Sequence, residues 1–166
     1  MLFLLLCGIF FMSCDRQPSA PGQQIRAETA YAEQDDGEIL RIAMDARRTL
    51  PIFFRQLARG DAKESGFSIK HPFRADDGSG IGMEQLWLDG IHFKDGVFFG
   101  ILAGDPAHVS GMQKGDTVAL DMDAITDWMY VRDGKIAGGR SIKYLLEQIP
   151  ESQRSEGQRK ILRMFE

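Results

Sequence analysis

"EQLWLDGIHFKDGVFFGILAG", Glu84 to Gly104, decides the fold. Two runs rich in aromatic and branched residues, Glu84 to Phe93 and Val97 to Gly104, flank Lys94-Asp95-Gly96. Asp-Gly between such runs is the strongest short signal for a β-hairpin, because both central residues of a tight primed turn need positive φ. An antiparallel strand pair is therefore expected in the middle of the chain. The punctuation recurs downstream. "KGDTVALDM" follows a Gly-rich turn and reads as a third strand region, and "ITDWMYV" reads as another that ends at Asp133-Gly134. Upstream, "GFSIKHPF" (Gly66 to Phe73) alternates Phe67 and Ile69 against Ser68 and Lys70, and is expected to end near Pro72. "ADDGSGIG" reads as a flexible loop. It lacks both the GxGxxG spacing of a phosphate cradle and the acidic ladder of a calcium loop.

Helical periodicity brackets these strands. Ile39, Ile42, Ala46, Leu50, Phe53 and Leu57 recur at helical spacing and predict a helix over Glu38 to Ala58. Pro51 predicts a kink, or a break with a restart near Thr49. "SIKYLLEQI", Ser141 to Ile149, predicts a short helix with Ser141 as N-cap, and Gln158 to Phe165 a weaker one. Strands and helices do not alternate as in βαβ units. The class is α+β: an antiparallel sheet of about four to five strands with helices packed on one face. One domain of about 110 residues is enough to stand on a hydrophobic core.

Bulk composition fits a globular chain: 43% hydrophobic and 27% charged residues among 166, with a net charge of -4. Nucleic acid is not an expected partner, because displacing its counterions needs concentrated Lys and Arg. Both cysteines, Cys7 and Cys14, stand at the N-terminus. From Asp15 onward there can be no internal disulfide, zinc-thiolate site or cysteine nucleophile.

The N-terminus reads as an address. "LFLLLCGIFFM", Leu2 to Met12, is shorter than the roughly 18 to 20 apolar residues of a membrane span, and has the length of a signal-peptide core. Ser13 and Cys14 follow, and the segment resembles bacterial lipoprotein signals. The resemblance implies cleavage before Cys14, lipidation of Cys14 with palmitate-type chains, and a lipid anchor in the cell envelope with the domain facing the periplasm. Asp15 resembles the residue that retains such proteins in the inner membrane. The expected organisation is a signal peptide over 1–13, a flexible tether over 14–37, one domain over 38–150 and a helical tail over 151–166.

No signature of catalysis appears. His71, His92 and His108 lack metal-ligand spacing, and neither GxSxG nor SxxK pairs occur. No catalytic residue, metal ligand or cofactor is assigned. Glu84, Asp116 and Asp127 are the carboxylates that could pair in space. Trp87 follows Glu84 closely and Trp128 adjoins Asp127. Neighbours on a strand point to opposite faces, so Asp127 and Trp128 line one pocket only if the strand bulges. Trp128 is expected in the core and Asp127 as an acceptor of backbone hydrogen bonds. The sharper reading is a binding surface made by a Trp and nearby acids.

With these segments in view, the chain resembles the YegJ-like family, the bacterial domain of unknown function 2314. "ILRIAMDARRTLPIFFRQL", "FSIKHPF", "GMEQLWLDGIHFKDGVFFGIL", "KGDTVALDMDAITDWMYV" and "GKIAGG" carry the resemblance. Lys70, Glu84, Trp87, Asp116, Asp127 and Trp128 match the family pattern and form the candidate binding set. The family implies no reaction. The preferred expectation is an anchored envelope protein whose domain binds an unknown protein or envelope partner. A carboxylate-based hydrolase or lyase acting on envelope material is the second reading, and an immunity-type protein that neutralises a toxin is the third.

Overall fold

A computed structural model describes residues 37–165. Cys14 and the expected signal and tether up to residue 36 lie outside the described residues. The elements in order are α1 (Gly37–Arg59), β1 (Glu64–Arg74), β2 (Met83–Lys94), β3 (Val97–Leu102), β4 (Thr117–Ala119), a 3-10 turn (Met122–Ala124), β5 (Asp127–Arg132), β6 (Lys135–Gly138), α2 (Arg140–Gln148), a second 3-10 turn (Glu151–Gln153) and α3 (Glu156–Met164). The strands form one six-stranded sheet in the order β4-β3-β2-β1-β5-β6, and every pairing is antiparallel. The α+β class holds. The sheet has one strand more than the upper end of the expectation, because the short β6 precedes a glycine pair and reads as a turn.

Both hairpins form as the Asp-Gly signals require. Asp95 and Gly96 have φ of 50° and 85°, and Asp133 and Gly134 have 48° and 75°. These are the paired left-handed residues of a type I′ turn, whose twist matches that of the strands. Pro72 does not end β1, which runs to Arg74. The Lys70 carbonyl faces β5, where it accepts the Thr126 N–H at 3.0 Å. Alternation puts the Pro72 nitrogen on that same side, beyond the last β1–β5 pair at Lys70–Asp127. No ladder donor is missing there.

Strand register arranges the sheet into rows. Leu102, Leu88, Ile69 and Trp128 stand side by side on one face. α1 covers them with Ala46, Leu50 and Phe53. One residue along, Trp87, Lys70 and Asp127 form a row on the reverse face. There Met129, Val131 and Ile136 pack with Ile142 and Leu146 of α2 and Ile161 of α3. Helices thus cover both faces, where a single helical face is expected from the sequence. The reason lies in β5: residues 127–131 are all buried, so that strand needs cover on both sides. The expected tail over 151–166 contains α3, which docks through Ile161 and starts at a capping box formed by Ser155 and Gln158.

α1 runs through Pro51 without a break. Leu50 and Phe53 are buried on either side of it, so core packing holds the helix where the missing N–H would weaken it. Trp128 adds an anchor. Its Nε1 donates to the Ala46 carbonyl at 3.2 Å and to Thr49 Oγ1 at 3.1 Å.

Candidate functional site

The candidate residues fall into two regions. The first is the junction of β5 and α2. Asp127 is 1% exposed, inside the reverse-face core. Its Oδ2 accepts the Ser141 backbone N–H and the Ser141 hydroxyl, both at 2.8 Å. Its Oδ1 accepts the Trp128 N–H at 2.8 Å. Ser141 is not the N-cap expected from the sequence. Gly139 holds that position in the left-handed region (φ 62°) and has no side chain to offer, so Ser141 falls in the first turn. Asp127 reaches over from the strand and supplies the capping oxygen, at the end of the helix where a negative charge is favoured.

Lys70 completes the row. It is buried, its Nζ donates to Ser141 Oγ at 3.3 Å, and it lies 5.8 Å from the centre of the Trp87 ring. The polarity runs one way: Lys70 donates to Ser141, and Ser141 donates to Asp127. Burial pushes the Asp127 carboxyl above the ordinary Asp range, while the Ser141 hydrogen bonds, the Lys70 cation and the Trp128 amide pull it back. Ser68 and Asp89 extend the polar strip, with the Ser68 hydroxyl donating to Asp89 Oδ1 at 2.7 Å.

β5 must approach this junction closely. Gly138 has φ 74°, and a Cβ there would stand 2.1 Å from the Trp128 carbonyl oxygen. Only glycine fits.

The second region is the loop end of the sheet. Glu84 Oε1 and Oε2 accept the N–H groups of Ala107 and His108, each at 2.8 Å. Asp76 accepts the Ser110 N–H at 2.8 Å and its hydroxyl at 2.6 Å. Asp77 Oδ2 lies 2.7 Å from His108 Nδ1. Asp105 accepts the Lys114 N–H at 2.8 Å, and Asp116 accepts the Gln113 N–H at 2.9 Å. The Ser110 hydroxyl holds the Asp76 carboxyl below its ordinary range, and Ser79 and His108 do the same for Asp77. The "ADDGSGIG" segment, expected to be a flexible loop, is tied to residues 108–110 at three points.

The structure therefore joins Lys70, Trp87 and Asp127 and separates them from the rest. Trp128 lies on the opposite face against α1. Glu84 and Asp116 each hold a turn at the loop end. Ser141, Ser68, Asp89, Asp76 and His108 join these networks without standing among the candidate residues of the sequence. For Ser141 a signal existed: a helix that starts after Gly138-Gly139 has no local cap, so an acceptor must come from elsewhere. The other partners are distant in sequence and leave no local pattern.

Chemically, the Lys70–Ser141–Asp127 chain is a support. A serine nucleophile needs a base that accepts its proton and a substrate within reach. Here Ser141 is 2% exposed, and its hydroxyl already lies between a donating ammonium and an accepting carboxylate. Among the described residues no group of three His, Cys, Asp or Glu side chains could hold a metal ion, and no helix is long and apolar enough to cross a membrane.

His71 carries a different constraint. Its Nδ1 is 2.8 Å from the Pro72 carbonyl and its Nε2 is 3.3 Å from the Asp121 N–H. Only the neutral ring with its proton on Nδ1 satisfies both. Burial pushes the imidazole below its ordinary range.

Two relatives cover most of the chain. The uncharacterized protein YegJ of Escherichia coli is 31% identical over 118 residues, which are 71% of this chain and 73% of that protein. A protein of Neisseria meningitidis serogroup B, provisionally named an ankyrin repeat protein, is 32% identical over 130 residues, 76% of this chain. The match spans about half of that relative's length, 51%. No solved structure matches the chain. A family model described as an uncharacterized protein conserved in bacteria matches residues 36–161. The chain belongs to that bacterial family, the domain of unknown function 2314.

Proposed function

We propose that the chain is a lipid-anchored protein of the bacterial envelope whose domain binds a partner and carries out no reaction of its own. The observation that carries this reading is the employment of the candidate carboxylates. Asp127 holds three donors in the core, Glu84 holds two backbone amides, and Asp116 holds a third. A general acid or nucleophile needs a carboxyl that faces substrate and changes partners during turnover. These carboxylates face the protein's own backbone. The resemblance of Ser13-Cys14 to a lipoprotein signal supports the anchor, and each buried methylene of an acyl chain adds about 0.8 kcal/mol of membrane affinity.

Two measurements test the reading. Labelled palmitate should enter the wild-type chain in cells and be lost in Cys14→Ala; label that persists in Cys14→Ala overturns the anchor. Glu84→Gln and Asp116→Asn, at the loop end, should leave partner cross-links in intact cells unchanged. An envelope-degrading activity that disappears in either variant, with the fold retained, overturns the non-catalytic reading.

A further inference from the structure

α1 buries one side against the sheet, and its opposite side is unusual. Leu40, Met44 and Ile52 are 61%, 60% and 44% exposed. They follow one stripe along the helix, at spacings of four and eight residues. Exposed Arg41, Arg48 and Arg55 lie on the same stripe. The whole helix carries five arginines against two acids, in a chain whose net charge is -4. Arg41 and Arg48 lean on those acids, Glu38 and Asp45, three residues earlier. Arg55 has no carboxylate within one turn along the helix. Single exposed apolar residues are ordinary on a protein surface. A row of three interleaved with guanidinium groups is a pattern.

We infer that this outer side of α1 is the surface by which the domain lies against an anionic lipid bilayer. A protein–protein interface admits arginine and methionine, but each guanidinium buried at its core must be paired with an acid of the partner. On this stripe apolar and cationic side chains alternate at every turn. A bilayer interface accommodates that mixture: the apolar tips enter the boundary below the headgroups while the arginines stay level with the phosphates. Chain connectivity favours the same occupant. The helix begins 23 residues after Cys14, a segment that spans at most about 3.5 Å per residue, so the stripe is the part of the domain closest along the chain to the anchor. The inference rests on the anchored reading for the nearness of the bilayer. The stripe itself is read from α1 alone.

The test uses the full chain carrying M44W, bound to vesicles with brominated acyl chains. Trp87 and Trp128 are buried, so the unsubstituted chain gives the background. In vesicles of phosphatidylcholine with one quarter phosphatidylglycerol, the added emission should shift to the blue and be quenched. In phosphatidylcholine alone it should not. R41Q/R48Q/R55Q should weaken docking by about fivefold per arginine, on the order of a hundredfold in all. The chain should remain on the vesicle through its anchor, with an unchanged near-UV circular dichroism spectrum. An anchored chain whose M44W emission matches that in solution overturns the inference and leaves the anchor intact. So does equal quenching with and without phosphatidylglycerol, or a cross-link from position 44 to an acidic protein in place of lipid. If Cys14 takes up no palmitate, the anchored reading fails by itself. Quenching of M44W in the Cys14→Ala chain then still decides whether α1 meets the lipid.

Discussion

Asp127 and Glu84 have the same task in two places. Each carboxylate collects backbone N–H groups that would otherwise lack a partner. Asp127 does so within the packed reverse face of the sheet, beside a buried lysine. Glu84 does so at the half-exposed loop end, where water can replace it. The hydrogen bonds have similar lengths, so the difference between the sites is burial. A short distance alone therefore says little about what a carboxylate contributes. That depends on what happens to its donors when it is gone.

The largest expected effect is at the buried site. Asp127→Ala leaves the Ser141 and Trp128 amides and the Ser141 hydroxyl without their acceptor, and removes a negative charge near the Lys70 ammonium. Urea unfolding should show a loss of about 3–5 kcal/mol, the range for breaking a buried charged network by removing one member. A loss equal to that of Glu84→Ala would break the comparison. Ser141→Ala sharpens it: the backbone N–H still reaches Asp127, and only the hydroxyl between Lys70 and Asp127 is lost. The same measurement should give about 1–3 kcal/mol. Glu84→Ala should lower stability by only about 0.5–1.5 kcal/mol, because the freed amides meet solvent. Its clearer signature is local, with faster hydrogen exchange at Ala107 and His108 and unchanged exchange in β5.

A smaller effect extends the comparison to acid. The folded pKa of His71 is lowered, so the native state binds fewer protons than the unfolded chain. Its stabilising effect is complete above the ordinary imidazole range, near pH 6.5, and is lost as pH falls below it. Denaturant midpoints measured from pH 7 to pH 5 should fall more steeply for the wild type than for H71Q. Parallel slopes would show that this ring has no part in acid sensitivity.

The fold was legible where its causes are local. The Asp95-Gly96 and Asp133-Gly134 hairpins, the α1 stripe and the α+β class each follow from signals within a few residues. So does the Ser155–Gln158 capping box. What escaped depends on pairs distant in sequence. Serine is a common N-cap, so Ser141 reads as the cap of its own helix, while its acceptor, Asp127, lies 14 residues earlier. Glu84 was readable as a carboxylate near a Trp. Its partners at Ala107 and His108 lie 23 and 24 residues on and have no composition that announces them. Helical cover on the reverse face was implicit in the unbroken apolar character of residues 128–131, which fits a strand packed on both sides better than one with a solvated face.

The glycine at the start of α2 has a consequence in time. A helix with its own cap can begin to form as soon as its residues are synthesised. α2 cannot stabilise its first turn this way, because its capping oxygen belongs to a strand. A peptide of residues 139–149 alone is too short to hold helical structure in water. The first turn of this helix therefore has its cap only when β5 is in place, which couples the start of α2 to the sheet.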